Sequence, residues 1–279
     1  MSVRLCVIGD PVAHSLSPRL HEAMLRALGI EGTYEACRVR EGETETFFHA
    51  VRMGAYSGFN VTMPHKKAAF DLADELTDAA RCAGAVNTVR VENGRTIGHN
   101  TDGAGFLRSI ESHAAASERK IAAVLGAGGA ARSVALALAD DGWQVRVANR
   151  TPSHAQELAA RSPNICTMEL LEAVRDCALF VNATPLGMEG AHADFEDLDF
   201  LRAMPRDALV CDLVYRPAET KLLRVAREQG LDTMNGLPML CHQAVDALAF
   251  FLNTPLDCNE MMAVLERTVV RELHFQSSE

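Results

Sequence analysis

The sequence lacks the features that mark membrane and nucleic-acid-binding proteins. None of its apolar runs approaches the roughly 20 residues that cross a bilayer. The apolar stretch from Met1 to Gly9 is too short for a signal peptide. Basic residues are outnumbered, 27 against 37 acidic ones, and a single Trp offers no platform for stacking bases. We expect a cytoplasmic protein that binds neither membranes nor nucleic acid.

Metal and disulfide signatures are also missing. None of the eight cysteines belongs to a C-x-x-C pair, and most lie in apolar runs such as Leu5-Cys6-Val7. The ten histidines show no spacing typical of zinc ligands. We therefore predict free thiols in a reducing compartment and no metal site.

The pattern of apolar segments indicates the α/β class. Short apolar runs alternate with amphipathic helical segments, which favours parallel sheets. Asn93-Gly94 predicts a hairpin turn, Ser17 an N-cap before Pro18, and Pro64 the start of a helix reaching Leu76. We predict one α/β domain at 1–101 and a second α/β domain, with a doubly wound parallel sheet, at 102–236. We expect the helices of 237–279 to complete the first domain.

The stretch from Ile121 to Thr151 carries the main motif. An apolar strand leads to Gly126-Ala127-Gly128-Gly129-Ala130, and Gly126, Gly128 and Ala131 fit the G-x-G-x-x-G/A spacing. The first glycine allows a sharp turn, and the second allows close approach of a pyrophosphate to the helix N-terminus. After the next strand come Asn149-Arg150-Thr151, where NAD-binding proteins usually place a carboxylate. Arg150 there indicates NADP, so we predict that 102–236 is a Rossmann-like, doubly wound NADP domain.

Polar residues between Ser15 and Asp102 are candidates for substrate binding and catalysis, and we therefore predict that 1–101 is the α/β substrate-binding catalytic domain. Ser15 and Ser17 precede a helix and suit a carboxylate, while Asn60 and Thr62 follow a predicted strand. The remaining candidates are Lys66, a proton donor, Asn87 in an apolar strand, and Asp102 at the predicted domain boundary. Singly, each also fits an ordinary structural role, as a cap, a turn or a solvated side chain.

Taken together, these segments occur in the order seen in shikimate dehydrogenases, and the chain resembles that family over nearly its whole length. The matching segments are 9–18, 58–66, 84–88, 100–103, 126–130, 182–188, 212–215 and 235–240. The resemblance implies reduction of 3-dehydroshikimate to shikimate with NADPH in aromatic amino-acid biosynthesis. We expect a monomer or a homodimer that binds this small-molecule substrate.

The resemblance assigns roles residue by residue. It makes Lys66 and Asp102 the catalytic pair. The positions matching substrate-binding residues are Ser15, Ser17, Asn60, Thr62, Asn87, Tyr215 and Gln243. Those matching residues that line the cofactor are Gly126, Ala127, Gly128, Gly129, Ala130, Asn149, Arg150, Thr151, Thr184, Val214 and Gly236.

Three departures keep alternatives open. His154 stands where many NADP-dependent members carry a second basic residue, Pro152 is unusual at its position, and His242 replaces a small or aromatic residue. A quinate/shikimate dehydrogenase with broader substrate or cofactor use is therefore one rival. A ligand sensor without catalysis is the other, although a sensor needs neither Lys66 nor Asp102.

Overall fold

The computed structural model describes residues 2–190 and 193–276, the last six of them as backbone only. The chain divides into two compact units. The first contains the residues up to Thr101 and those from Cys241 onward, and the second runs from Asp102 to Leu240.

The first unit contains a six-stranded sheet in the order β2-β1-β3-β5-β6-β4. Its strands are β1 (Val3–Gly9), β2 (Gly32–Arg38), β3 (Gly58–Val61), β4 (Glu75–Leu76), β5 (Thr88–Glu92) and β6 (Arg95–His99). Its helices are α1 (Ser17–Ala27), α2 (Thr44–Arg52), α3 (Lys66–Leu72), α4 (Asp78–Ala83), the part of α11 (Leu237–Leu252) from Cys241, and α12 (Cys258–Gln276).

The second unit contains a fully parallel six-stranded sheet in the order β12-β11-β10-β7-β8-β9. This is the doubly wound order of dinucleotide-binding folds. The strands are β7 (Ile121–Leu125), β8 (Gln144–Ala148), β9 (Ile165–Thr167), β10 (Leu179–Asn182), β11 (Leu209–Asp212) and β12 (Asp232–Met234). The helices are α5 (Asp102–Ser109), α6 (Glu111–Ala116), α7 (Gly129–Asp140), α8 (Pro152–Ala159), α9 (Leu170–Ala173), α10 (Lys221–Glu228) and a 3₁₀ turn at Asp199–Ala203.

Apolar side chains cover both faces of the second sheet. Alternate residues of β7 point to opposite faces, so Ala122 and Val124 join one buried cluster and Ala123 joins the other. The first cluster includes α7 and the fully buried Trp143, and the second includes Phe180. Burial on both faces explains why these strands are continuous apolar runs in the sequence.

The structure corrects the predicted elements at several points, and α4 (Asp78–Ala83) was not predicted. Ser17 is the first residue of α1, not its N-cap, which is Leu16. The helix after Pro64 ends at Leu72, and Glu75–Leu76 forms a strand that pairs with β6. The first sheet is mixed, because β5 runs antiparallel to both β3 and β6. The short strands β9 and β12 were not predicted. The Asn93-Gly94 hairpin is confirmed, with φ of 52° and 76°.

Candidate active site

The glycine turn lies at the carboxyl end of β7, in the second unit. Gly126 has φ of 115°, and its N–H donates to Ala148 O at 2.8 Å. A Cβ at Gly126 would lie 3.1 Å from Ala183 O and 3.2 Å from Thr184 Cγ2. Both the left-handed backbone and this close approach favour glycine. The turn therefore brings the ends of β7, β8 and β10 together.

The turn opens directly into α7. Gly128 is the N-cap in an extended conformation, and Gly129 and Ala130 are the first helical residues. The Ala127 carbonyl, on the other side of Gly128, accepts from Arg132 Nε at 3.2 Å. A Cβ at Gly128 would meet no atom within 4 Å, so open space faces the start of the helix. Backbone N–H groups beside a space of this kind form a phosphate cradle.

The segment after β8 presents an arginine. Asn149 Nδ2 donates to Thr151 O at 2.8 Å, and Thr151 is the N-cap of α8. Arg150 between them is exposed and forms no ion pair with the described side chains, those of residues 2–190 and 193–270. His154 is also exposed, in the first turn of α8. This segment thus offers a cation, and no carboxylate, at the end of the second strand of the unit.

A buried carboxylate joins the ends of β10 and β11. Asp212 accepts hydrogen bonds from Asn182 Nδ2 (2.9 Å), the Val214 N–H (3.1 Å) and Thr220 Oγ1 (2.7 Å). Asn182 Oδ1 accepts from both the N–H and the hydroxyl of Thr184, at 3.1 and 2.6 Å. Burial raises the pKa of Asp212 to about 6, against the effect of the three donors. Through this network Asp212 holds Thr184 and Val214 in place.

Gly236 closes the same edge. Its N–H donates to Val214 O at 3.1 Å, and a Cβ at this position would collide with the Leu213 carbonyl. Asp102, the first residue of α5, is buried, and α5 packs closely on α7 because Gly103 lies against Ser133. Tyr215 is half-buried just after β11. All these residues belong to the second unit.

In the first unit, Asn60 at the end of β3 lies in a buried polar network. Asn60 Oδ1 accepts from Tyr34 Oη at 2.7 Å. Its Nδ2 donates to Asn87 O at 3.1 Å and to Thr88 Oγ1 at 3.0 Å. The carbonyl acceptor settles which end of the amide is nitrogen.

The network continues from Asn87 to Gln243. Asn87 Oδ1 accepts from Thr88 Oγ1 and from the Thr101 N–H, both at 2.9 Å. Asn87 Nδ2 donates to Thr101 Oγ1 at 2.9 Å, and Thr101 Oγ1 makes a longer contact of 3.4 Å with Gln243 Oε1. Asn60, Asn87 and Gln243 are all buried. The structure thus joins three predicted substrate-binding residues in one hydrogen-bonded array, in which each of these donors meets an acceptor.

The other first-unit candidates lie at two helix starts. The half-buried Ser15 accepts from the Ser17 N–H at 3.2 Å through its hydroxyl, just before α1. Lys66 is the first residue of α3 and half-buried, and Thr62 precedes it with its N–H on Ile8 O at 2.9 Å. His65, directly before Lys66, donates from Nε2 to Val39 O at 2.7 Å. Its Nδ1 accepts a hydrogen bond from the Thr44 hydroxyl at 2.9 Å.

Two family models match the chain. Residues 7–89 match the shikimate dehydrogenase substrate binding domain, and residues 109–185 match shikimate / quinate 5-dehydrogenase. Together they cover more than half of the sequence. The chain belongs to the shikimate dehydrogenase family.

Relatives of this family align over almost the full length. The NADP(+) shikimate dehydrogenase of Methylocella silvestris is 42% identical over 97% of this chain and 98% of its own. Shikimate 5-dehydrogenase from Thermus thermophilus, crystallised with NADP(H) and shikimate, is 39% identical with a TM-score of 0.85, covering 95% and 99% of the two chains. Quinate dehydrogenase from Corynebacterium glutamicum, in complex with NAD, is 33% identical with a TM-score of 0.83, covering 95% and 99%.

Several residues that shape the site were not singled out from the sequence of this shikimate dehydrogenase family member. They are His21, Tyr34, Thr88, Thr101, Asn182 and Asp212. Asn182 and Asp212 end apolar strands, and that signal, which selected Asn87, could have identified both. Among the described residues, no group of three or more His, Cys, Asp or Glu could hold a metal. No described helix is long and apolar enough to cross a bilayer.

Proposed function

We propose that the chain catalyses the reversible reduction of 3-dehydroshikimate to shikimate with NADPH. The observation that carries the proposal is the buried array of Asn60, Asn87 and Gln243, which presents amides of fixed orientation beside β3. Such an array suits a ligand with several hydroxyl groups. The chain's relatives of about 40% identity are named shikimate dehydrogenase (NADP(+)), which supports the same substrate.

We assign substrate binding to the first unit, residues 1–101 with the helices of 237–279. Ser15 and Ser17 at the start of α1 bind the carboxylate through their hydroxyl groups. Asn60, Thr62, Asn87 and Gln243 bind the ring hydroxyls, and we also assign Tyr215 to substrate binding. The carboxylate gains no charge during the reaction, so Ser15 and Ser17 act on binding more than on the chemical step.

We assign the cofactor to the second unit, residues 102–236, where the described residues fit NADP. Bound NADPH supplies the hydride. Gly126, Ala127, Gly128, Gly129 and Ala130 hold the pyrophosphate, since the space beside Gly128 is open. Arg150, with Asn149 and Thr151, holds the 2′-phosphate, because its guanidinium is exposed and no carboxylate among the described side chains is paired with it. Thr184, Val214 and Gly236 line the remainder.

We assign catalysis to Lys66 and Asp102. Reduction places negative charge on the former carbonyl oxygen, which must then receive a proton. The ammonium of Lys66 stabilises that charge and donates the proton, and in the reverse direction the amine takes it back. Asp102 accepts a hydrogen bond from the hydroxyl group that this oxygen becomes.

The experiment that tests the proposal compares four combinations on the purified protein. Reduction of NADP and of NAD is followed with shikimate and with quinate. We expect the highest kcat/KM with shikimate and NADP. Quinate with NAD as the preferred pair would assign the chain to the quinate-using relatives, and no turnover with any pair would support the sensor.

We further propose that the protein is cytoplasmic and is a monomer or a homodimer. Sedimentation would test the oligomeric state.

A further inference from the structure

Tyr34 is the buried residue of β2 and lies in contact with the substrate site. Only 2% of its surface is exposed, and its hydroxyl donates to Asn60 Oδ1 at 2.7 Å. The ring stacks on His21 of α1, with centroids 4.2 Å apart and planes inclined by 17°. Tyr34 is therefore held by packing on one side and joined to Asn60 on the other.

The bonds of Asn60 leave its amide one possible orientation. Both N–H groups are used, one by the Asn87 carbonyl and one by Thr88 Oγ1. Thr88 in turn donates its own proton to Asn87 Oδ1, so it can only accept from Asn60. The amide oxygen consequently faces Tyr34, which can donate to it.

One hydrogen-bonding position of Asn60 remains for a ligand, the second lone pair of Oδ1. We propose that Tyr34 is a positioning residue of the substrate site, whose hydroxyl fixes Asn60 as an acceptor that recognises a substrate hydroxyl. This inference rests on the proposed function, in which Asn60 binds the substrate. Tyr34 itself need not touch the substrate.

His21 fixes the Tyr34 ring. Its Nδ1 donates to Ser17 O at 2.9 Å, which settles the tautomer, because a carbonyl only accepts. Its Nε2 is buried and has no hydrogen-bond partner within the described part of the chain. Burial lowers the pKa of His21 to about 4, so the ring stays neutral near pH 7. Tyr34 thus rests on a neutral ring that is tied to the start of α1, where Ser15 and Ser17 lie.

The test compares Tyr34→Phe with Tyr56→Phe. Both remove one phenol hydroxyl from the first unit, but the Tyr56 hydroxyl bonds Glu35 and Cys37. We expect Tyr34→Phe to raise the KM for shikimate about 3- to 10-fold, the effect of one neutral hydrogen bond. Because the loss is in uniform binding, kcat and the KM for NADP should change less than about twofold. Tyr56→Phe should leave all three constants unchanged.

A double-mutant cycle with Asn60→Ala isolates the coupling. With the Asn60 amide removed, Tyr34→Phe should cost no further shikimate affinity in calorimetry. Thr88→Val, which removes the acceptor on the other side of the amide, should raise the KM for shikimate in the same way. Equal losses in both backgrounds, or a Tyr34→Phe variant that matches Tyr56→Phe, would overturn the role of Tyr34. A wild type that does not oxidise shikimate would instead remove the proposed function on which this inference rests.

Discussion

At the scale of single residues, Arg150 is the residue that we propose distinguishes NADP from NAD. It is exposed, and it sits in a segment whose backbone is fixed by the bond from Asn149 to Thr151. A charged hydrogen bond contributes about 1.5–3 kcal/mol, so Arg150→Ala should weaken NADP binding by about one to two decades. Binding of NAD, which has no 2′-phosphate, should change little. Calorimetric titration of both cofactors measures the two affinities.

Arg224→Ala is the matched control, because Arg224 is another exposed arginine of the second unit, on α10. It removes the same net charge and should leave both affinities unchanged. Equal losses for NADP and NAD in Arg150→Ala would show that Arg150 does not read the 2′-phosphate.

The sequence predicts which residues are chemically suited to the site better than it predicts what orients them. Asn87 was identifiable because an amide in an apolar strand requires partners. Tyr34 was not, since it lies 26 positions before Asn60 and meets it only after β2, β1 and β3 pair. The same is true of Thr220, whose hydroxyl reaches Asp212 only in the folded unit.

At the scale of elements, the turn from β7 into α7 offers a position where a substitution should weaken cofactor binding and leave the stability of the fold unchanged. A side chain at Gly128 would enter open space, and φ of −74° suits any residue. Serine is a favourable N-cap, so Gly128→Ser should leave Tm within a few degrees of the wild type. It should nevertheless weaken NADP binding at least tenfold, because the side chain occupies the proposed phosphate cradle. Unchanged NADP affinity would place the pyrophosphate elsewhere.

The joined ends of β10 and β11 should make stability depend on pH. The carboxyl of Asp212 titrates at about 6 in the folded chain, whereas an unperturbed aspartate of the unfolded chain titrates near 3.8. The folded chain therefore binds this proton more tightly, and the resulting stabilisation is full below about pH 4 and lost as the pH rises through about 6. This difference between the folded and unfolded pKa of Asp212 corresponds to about 3 kcal/mol.

Asp212→Asn removes this titration and keeps groups that can bond Asn182, Val214 and Thr220. The free energy of unfolding of Asp212→Asn minus that of the wild type should increase by about 2–3 kcal/mol from pH 4 to pH 7. Urea unfolding of both proteins across this range measures this difference. The contributions of other carboxylates, such as Asp74, are the same in both proteins and cancel. Parallel curves for the two proteins would show that Asp212 does not titrate there.

Element prediction succeeded where local signals were strong. The β7–α7 unit follows its glycine spacing, and the β5–β6 hairpin follows Asn93-Gly94. It failed at β9 and β12, which are three-residue edge strands with too few positions to show a period. The helix after Pro64 ends at Leu72 and does not reach Leu76, because Glu75–Leu76 pairs with β6. This pairing is a long-range contact that the local sequence pattern does not show.

At the scale of the whole molecule, the proposed functions are divided between two units of different architecture. The second has the parallel sheet of order β12-β11-β10-β7-β8-β9, whose strand ends carry the proposed cofactor residues. The first has a mixed sheet whose buried polar array is proposed to bind substrate. Alternating helices and strands predicted the class of both units, but the order of strands is set by tertiary pairing.

The central claim is that Lys66 and Asp102 perform the proton transfer while other residues hold the ligands. Its most direct test is steady-state turnover of Lys66→Ala, with shikimate and NADP affinities measured separately by calorimetry. A positioned acid or base contributes about 10²–10⁴-fold, so kcat should fall by about that factor while both affinities stay close to the wild type. Asp102→Asn should also lose rate, and the double variant should lose less than the product of the two. Near-normal kcat in Lys66→Ala would contradict the claim.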